Sequence, residues 1–229
     1  MANKAYENLV KLGRELQMLQ DTQGLLSWDQ EVNLARKGVA YRAEQCSFLS
    51  GEIHNRFTAP AVGEWISEAE AGDDFDEREQ ANVREWRRSY DRETNLPVEL
   101  VKKFAETRVI AHEAWADARE KSDFSLFREP LGELISLCRE KVGHWGFGDR
   151  PYDGLLDIYE RGSDVATVDE VFTNLKKDLI PLVEEACARE TYSPGPLAAE
   201  YPVEKQQSFN REVAESIGFD FAAGRIDTA

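Results

Sequence analysis

PVELVKKFAETRVIAHEAWADA, residues 97–118, is the stretch whose reading decides the fold class. Leu100, Phe104, Thr107, Ala111, Ala114 and Ala118 recur every three or four residues, so small and apolar groups share one face of a helix. Pro97 and Glu99 mark its start. Proline at the first helical position lacks an N–H where none is needed, and a first-turn glutamate meets the positive end of the helix dipole. The same tripeptide returns as Pro202-Val203-Glu204 and starts another helix.

Working outward, the periodicity repeats. Leu9, Leu12, Leu16 and Leu19 predict a helix from Tyr6 to about Trp28. A second runs from Val39 to Phe57, and Pro60 starts a short one through Trp65. The acidic stretch 68–77 reads as a solvated loop. Val83, Trp86 and Tyr90 stripe the next helix, and another spans Asp123–Trp145, interrupted or begun anew near Pro130. Thr167 to Glu170 has the spacing of a capping box. It is expected to open a helix with Val168, Val171, Phe172, Leu175, Leu179, Leu182 and Ala186 on one face, kinked at Pro181. Tyr192–Pro196 reads as a loop. No period-two run of β-branched residues supports a strand. The expectation is an all-α, multi-helix array in a single domain, 1–229, with no internal linker or repeat.

Composition narrows the function. The chain has 229 residues, with 28 Lys+Arg against 44 Asp+Glu, a net charge of −16. So acidic a surface argues against nucleic acid and anionic membranes as partners. No apolar run approaches the ~20 residues of a bilayer span, and Met1–Lys11 offers no export signal. Cys46, Cys138 and Cys187 are far apart and read as reduced, mostly buried thiols of a cytoplasmic protein.

Candidates for chemistry thin out quickly. His112-Glu113 begins like HExxH, in which two histidines four apart bind a metal and the glutamate activates water. Ala116 stands where the second histidine would be. Glu140 and His144 are also four apart, but supply two ligands where a catalytic site needs about three. They read as a helix-surface pair. Gly146-Phe147-Gly148 lacks the longer pattern of a phosphate loop and reads as a helix C-terminal turn. Trp86, Trp115 and Trp145 read as core. The residues thus nominate no catalytic group and no metal ligand, and leave any substrate-binding residue unknown.

Several ordered segments nevertheless resemble the N-terminal half of the carboxypeptidase Taq-type metallocarboxypeptidases. They are Leu25-Leu26-Ser27-Trp28-Asp29-Gln30-Glu31 with Arg42-Ala43-Glu44-Gln45, then Tyr90 to Pro97, then Trp115 with Ala118-Arg119 and Asp123-Phe124. Pro151-Tyr152-Asp153, Leu155-Leu156-Asp157, Tyr159-Glu160, Gly218-Phe219-Asp220-Phe221 and Gly224-Arg225-Ile226-Asp227 complete the series. Val32-Asn33-Leu34 and Arg161 depart from the family pattern. The resemblance implies the N-terminal helical part of a zincin-type fold, enclosing the cleft of an enzyme that removes C-terminal residues from peptides with zinc or cobalt. Family members are longer. Beyond the segment like Gly224–Asp227 they carry HPF, DxRxT and HExxH motifs and a downstream glutamate ligand, none of which this sequence holds.

The expected cofactor of this chain is therefore none, the family's metal being held by the other half. The expected partner is that catalytic half or a second copy, with peptides bound only when the half is present. A stand-alone interaction module derived from the family is the alternative. The first reading requires an apolar patch larger than the ~300–600 Å² of ordinary monomers, around Leu175, Leu179 and Leu182 or around Phe219 and Phe221.

Overall fold

The structure, a computed structural model, describes residues 2–72, 74–189, 195 and 199–227. All regular structure among them is helical, and no helix is long and apolar enough to cross a membrane. The chain folds as two compact units, Met1–Asp164 and Val165–Ala229. No composition shift in the sequence marks that division.

The first unit holds α1 (Ala2–Val32), a 3-10 turn (Arg36–Gly38), α2 (Val39–Phe57), α3 (Pro60–Glu70), α4 (Glu77–Thr94), α5 (Val98–Lys121), α6 (Ser125–Trp145) and α7 (Pro151–Tyr159). α2 is its central member, packed on α5 and on α1. α5 then packs on α6, α6 on α7, α1 on α3 and α3 on α4. Leu9, Val62, Ile66, Ala69, Phe75 and Val83 form the largest core cluster, where α1, α3 and α4 meet. Ala43, Cys46 and Val109 close the α2–α5 seam, and Leu96, Leu100 and Leu137 the α5–α6 seam. Gly63 lets α3 approach α4, since a Cβ there would lie 2.7 Å from the Tyr90 hydroxyl oxygen.

Polar joints pin these helices. Arg42, buried on α2, donates to the Leu26 carbonyl and sits 2.5 Å from the Asp29 carboxylate, both on α1. Asp157 on α7 accepts from the Gly162 N–H at 2.7 Å and from Arg88 of α4 at 2.9 Å, and is ion-paired with Arg92 of α4 at 2.9 Å. Trp145 donates its indole N–H to the Arg92 carbonyl at 3.2 Å, while the Arg92 guanidinium lies 4.5 Å from that ring's centre.

Several sequence expectations move. α3 continues to Glu70, so the acidic stretch loops out only from residue 71, and Asp76 and Glu79 form a reciprocal capping box that opens α4. Pro97 and Pro202 are N-caps, one residue outside the helices they introduce, where extended backbone suits proline equally well. α6 starts at Ser125 and runs unbroken past Pro130. Gly146 ends it in the left-handed conformation, as a helix C-terminal turn requires. α7 escaped the periodicity because one short helix carries too few repeats.

The second unit contains α8 (Val165–Ala188) and α9 (Val203–Ser216). α8 starts two residues before Thr167, so Thr167 is intrahelical and not its cap; Asp164 just ahead is itself of an N-capping type. The helix passes through Pro181, which removes one backbone donor. α9 ends in a Schellman motif. Gly218, at φ 91°, donates to the Glu215 carbonyl, and Phe219 reaches back to Ala214 at 2.9 Å. The Tyr192–Pro196 loop lies outside the described residues except for Gly195.

Ile66 is fully buried, so Ile66→Ala is expected to cost about 2–5 kcal/mol, read as a lower urea midpoint at unchanged slope. The Gly162 N–H, with Arg88 and Arg92, holds the Asp157 carboxyl below its ordinary range against the penalty of burial. Its stabilisation is therefore complete above the unfolded value of about 3.9 and is lost as pH falls through the lower folded value. Asp157→Asn should lower the urea midpoint at neutral pH, and its deficit relative to the native chain should shrink on acidification below about pH 4.

Candidate functional site

The sequence candidates lie mainly on α5, whose two flanks serve different purposes. Glu113, Asp117 and Glu120 form an acidic row that grips Arg36 of the 3-10 turn, at 3.7, 2.7 and 3.1 Å. The glutamate of the HExxH-like start thus lies in an acidic row beside Arg36. His112, half-buried, stands beside Trp115 with ring centres 5.7 Å apart. It also lines a cavity of about 330 Å³ with Gln30, Arg108 and Cys46. Ala116, one turn on, presents only a methyl group.

Glu140 and His144 are both exposed on α6, as a surface pair would be. Cys46 is buried, and burial pushes its thiol above the ordinary range, against the pull of Arg42 and Arg108. Cys138 is half-buried. Cys187 is exposed, contrary to expectation, because no residue of its helix α8 is buried. Trp86 and Trp145 border core clusters, but Trp115 is exposed, with the Arg119 guanidinium 5.5 Å from its ring centre.

The sequence reading passed over His54. It is only 6% exposed, and its Nδ1 lies 3.2 Å from a Glu93 carboxylate oxygen. The pair lines a second cavity, of about 480 Å³, with Leu16, Phe57 and Trp86. The signal was present: Ala43, Cys46, Ser50 and His54 recur at helical spacing on the buried side of α2. Among the described residues, no three His, Cys, Asp or Glu side chains gather as a metal ion requires.

A family model described as carboxypeptidase Taq (M32) metallopeptidase matches residues 8–229. The chain belongs to that family. It is 33% identical to thermostable carboxypeptidase 1 of Thermus thermophilus over 97% of its own length and 46% of the relative's. It is 32% identical to carboxypeptidase 1 of Bacillus subtilis, over 89% of this chain and 41% of that one. The crystal structure of BsuCP superposes with a TM-score of 0.92 at 30% identity, covering 98% of this chain and 46% of that one. The chain thus spans under half the length of the curated relatives it matches. The metal implied by membership of a metallopeptidase family does not fit the residues present, because His112 has no second ligand and Glu113 lies beside Arg36. No hydrolytic step is assigned to them.

After dialysis the chain should retain no stoichiometric zinc or cobalt by elemental analysis. His112→Ala should alter thermal stability alone, leaving metal content unchanged; one tightly held metal per chain, lost in this variant, would contradict that assignment.

Proposed function

We propose that this chain forms the N-terminal, cleft-forming helical part of a metal-dependent carboxypeptidase that removes C-terminal residues from peptides, and that it is not competent alone. In this reading, zinc or cobalt is held by the share of the fold that the matched relatives carry beyond the aligned stretch. Its reduced thiols and acidic surface suit the cytoplasm.

One observation beyond family membership carries the reading. α8 has 24 residues, none of them buried. Its apolar stripe faces outward, with Val171 58%, Leu175 49% and Leu182 61% exposed. Apolar area left in water forfeits roughly 25 cal/mol per Å², so such a stripe is sustained by a partner surface. The expected site near Phe219 and Phe221 contributes less. Those rings pack edge-to-face at 4.8 Å, with Arg211 3.9 Å from the centre of the Phe221 ring.

Mixing the chain with a separately produced C-terminal half patterned on the curated relatives, in the presence of zinc or cobalt, should generate carboxypeptidase activity that neither has alone. Binding of a hydrophobic dye should fall on mixing. The double variant Leu175→Glu, Leu179→Glu should keep its helical circular dichroism and lose complementation. Activity from the chain alone, or a dye-silent monomer, would defeat the proposal.

A further inference from the structure

Glu160-Arg161-Gly162-Ser163-Asp164 closes the first unit, and the second begins at Val165. The segment makes a β-turn in which the Ser163 N–H donates to the Glu160 carbonyl at 2.9 Å. Gly162, the third residue of that turn, has φ 78°, a conformation glycine adopts without strain. Two sets of charges hold the turn on the first unit, and they differ in exposure. The inner set is Asp157, which accepts from the Gly162 N–H and pairs with Arg88 and Arg92; its side chain is only 19% exposed. The outer set begins with Arg161, which reaches Glu85 of α4 at 2.5 Å, the two side chains being 59% and 55% exposed. Asp164 then lies 3.6 Å from Arg150, which also stands 3.8 Å from Asp153.

Exposure decides how each set answers to salt. The screening length falls from ~30 Å at 0.01 M to ~3 Å at 1 M, and exposed pairs feel it far more than partly buried ones. The inner joint is also anchored by a 2.7 Å hydrogen bond from Gly162 to a carboxylate, which is short-ranged and strong. Asp157 has three partners, so losing one leaves two. Among the described residues, Arg161 and Glu85 have no other ion-pair partner, so screening that one contact undoes it. A pair this exposed shifts an equilibrium by up to about fivefold, enough to bias a hinge without locking it. Arg161 is moreover a position at which the sequence leaves the family pattern, so its pair with Glu85 belongs to this chain and not to the shared fold.

We infer that residues 157–164 form a two-stage hinge set by ionic strength. The inner joint at Asp157 stays closed, while the outer pairs of Arg161 and Asp164 open as salt rises and free residues 163 and 164 ahead of α8. Two residues of extended chain supply roughly 7 Å of slack. The helix that follows bears the outward apolar stripe, so the hinge extends the reach of that stripe. The inference stands whether or not the chain belongs to a working peptidase.

The test is amide hydrogen exchange resolved residue by residue by nuclear magnetic resonance, at about 20 and about 500 mM sodium chloride. Rates are divided by those of the denatured chain at the same salt. The Ser163 amide should exchange about two- to fivefold faster at the higher salt, and the Gly162 amide at an unchanged rate. In Glu85→Gln the Ser163 amide should be fast at both salts. Exchanging the charges, with Glu85→Arg and Arg161→Glu together, should restore slow exchange at low salt and its response to salt. Asp157→Asn should quicken both amides at either salt. Protection of the fully buried Ile66 confirms that each variant is folded. A Ser163 amide indifferent to salt or to Glu85→Gln would overturn the hinge, and parallel acceleration of Gly162 and Ser163 in the native chain would overturn its two stages.

Discussion

A guanidinium buried between two helices must find acceptors, and Arg42 finds them only if α1 and α2 run alongside each other in one register. The Leu26 carbonyl and the Asp29 carboxylate lie one turn apart on α1, so satisfying both fixes where α2 lies along it. α2 in turn carries the α5 seam on its Ala43 and Cys46 face, and α5 carries α6. The same register brings Gln23 to the Ser50 hydroxyl at 2.8 Å. The cavity over His54, lined by both helices, sits beside that crossing.

That joint also bears on how family membership is visible in this chain. Asp29 and Arg42 belong to two of the segments that carry the resemblance, and the structure brings them together. Arg92 and Asp157 do the same for two others, and Trp145 adds its bond to the Arg92 carbonyl. These residues hold helices to one another. Arg42 is the buried member of its pair, so removing Asp29 would leave its charge uncompensated. The segments that carry the resemblance thus include scaffold joints.

Helix existence was readable wherever a stripe repeated three or more times, as in α5 and α8. The ends were less so. The Asp76–Glu79 box has the same form as the one at Thr167–Glu170, yet only the first caps a helix, because at α8 the backbone turns helical earlier. In the sequence, Ala116 alone removes the HExxH reading. The cavities were not legible in the sequence. Their linings come from α1, α2, α4 and α5, and no local spacing encodes which faces will meet. The placing of Glu113 beside Arg36 likewise needed the fold.

α8 also bears on how long the chain lasts in a cell. A helix with no buried residue leans on local propensity, and this one interrupts its own hydrogen-bond ladder at Pro181. Segments of that kind open at low free energy and are the first that chaperones and proteases sample. If a partner covers α8, the same residues become part of a core and leave that pool. Abundance would then track the supply of the partner, with the surplus cleared by the cell's quality control.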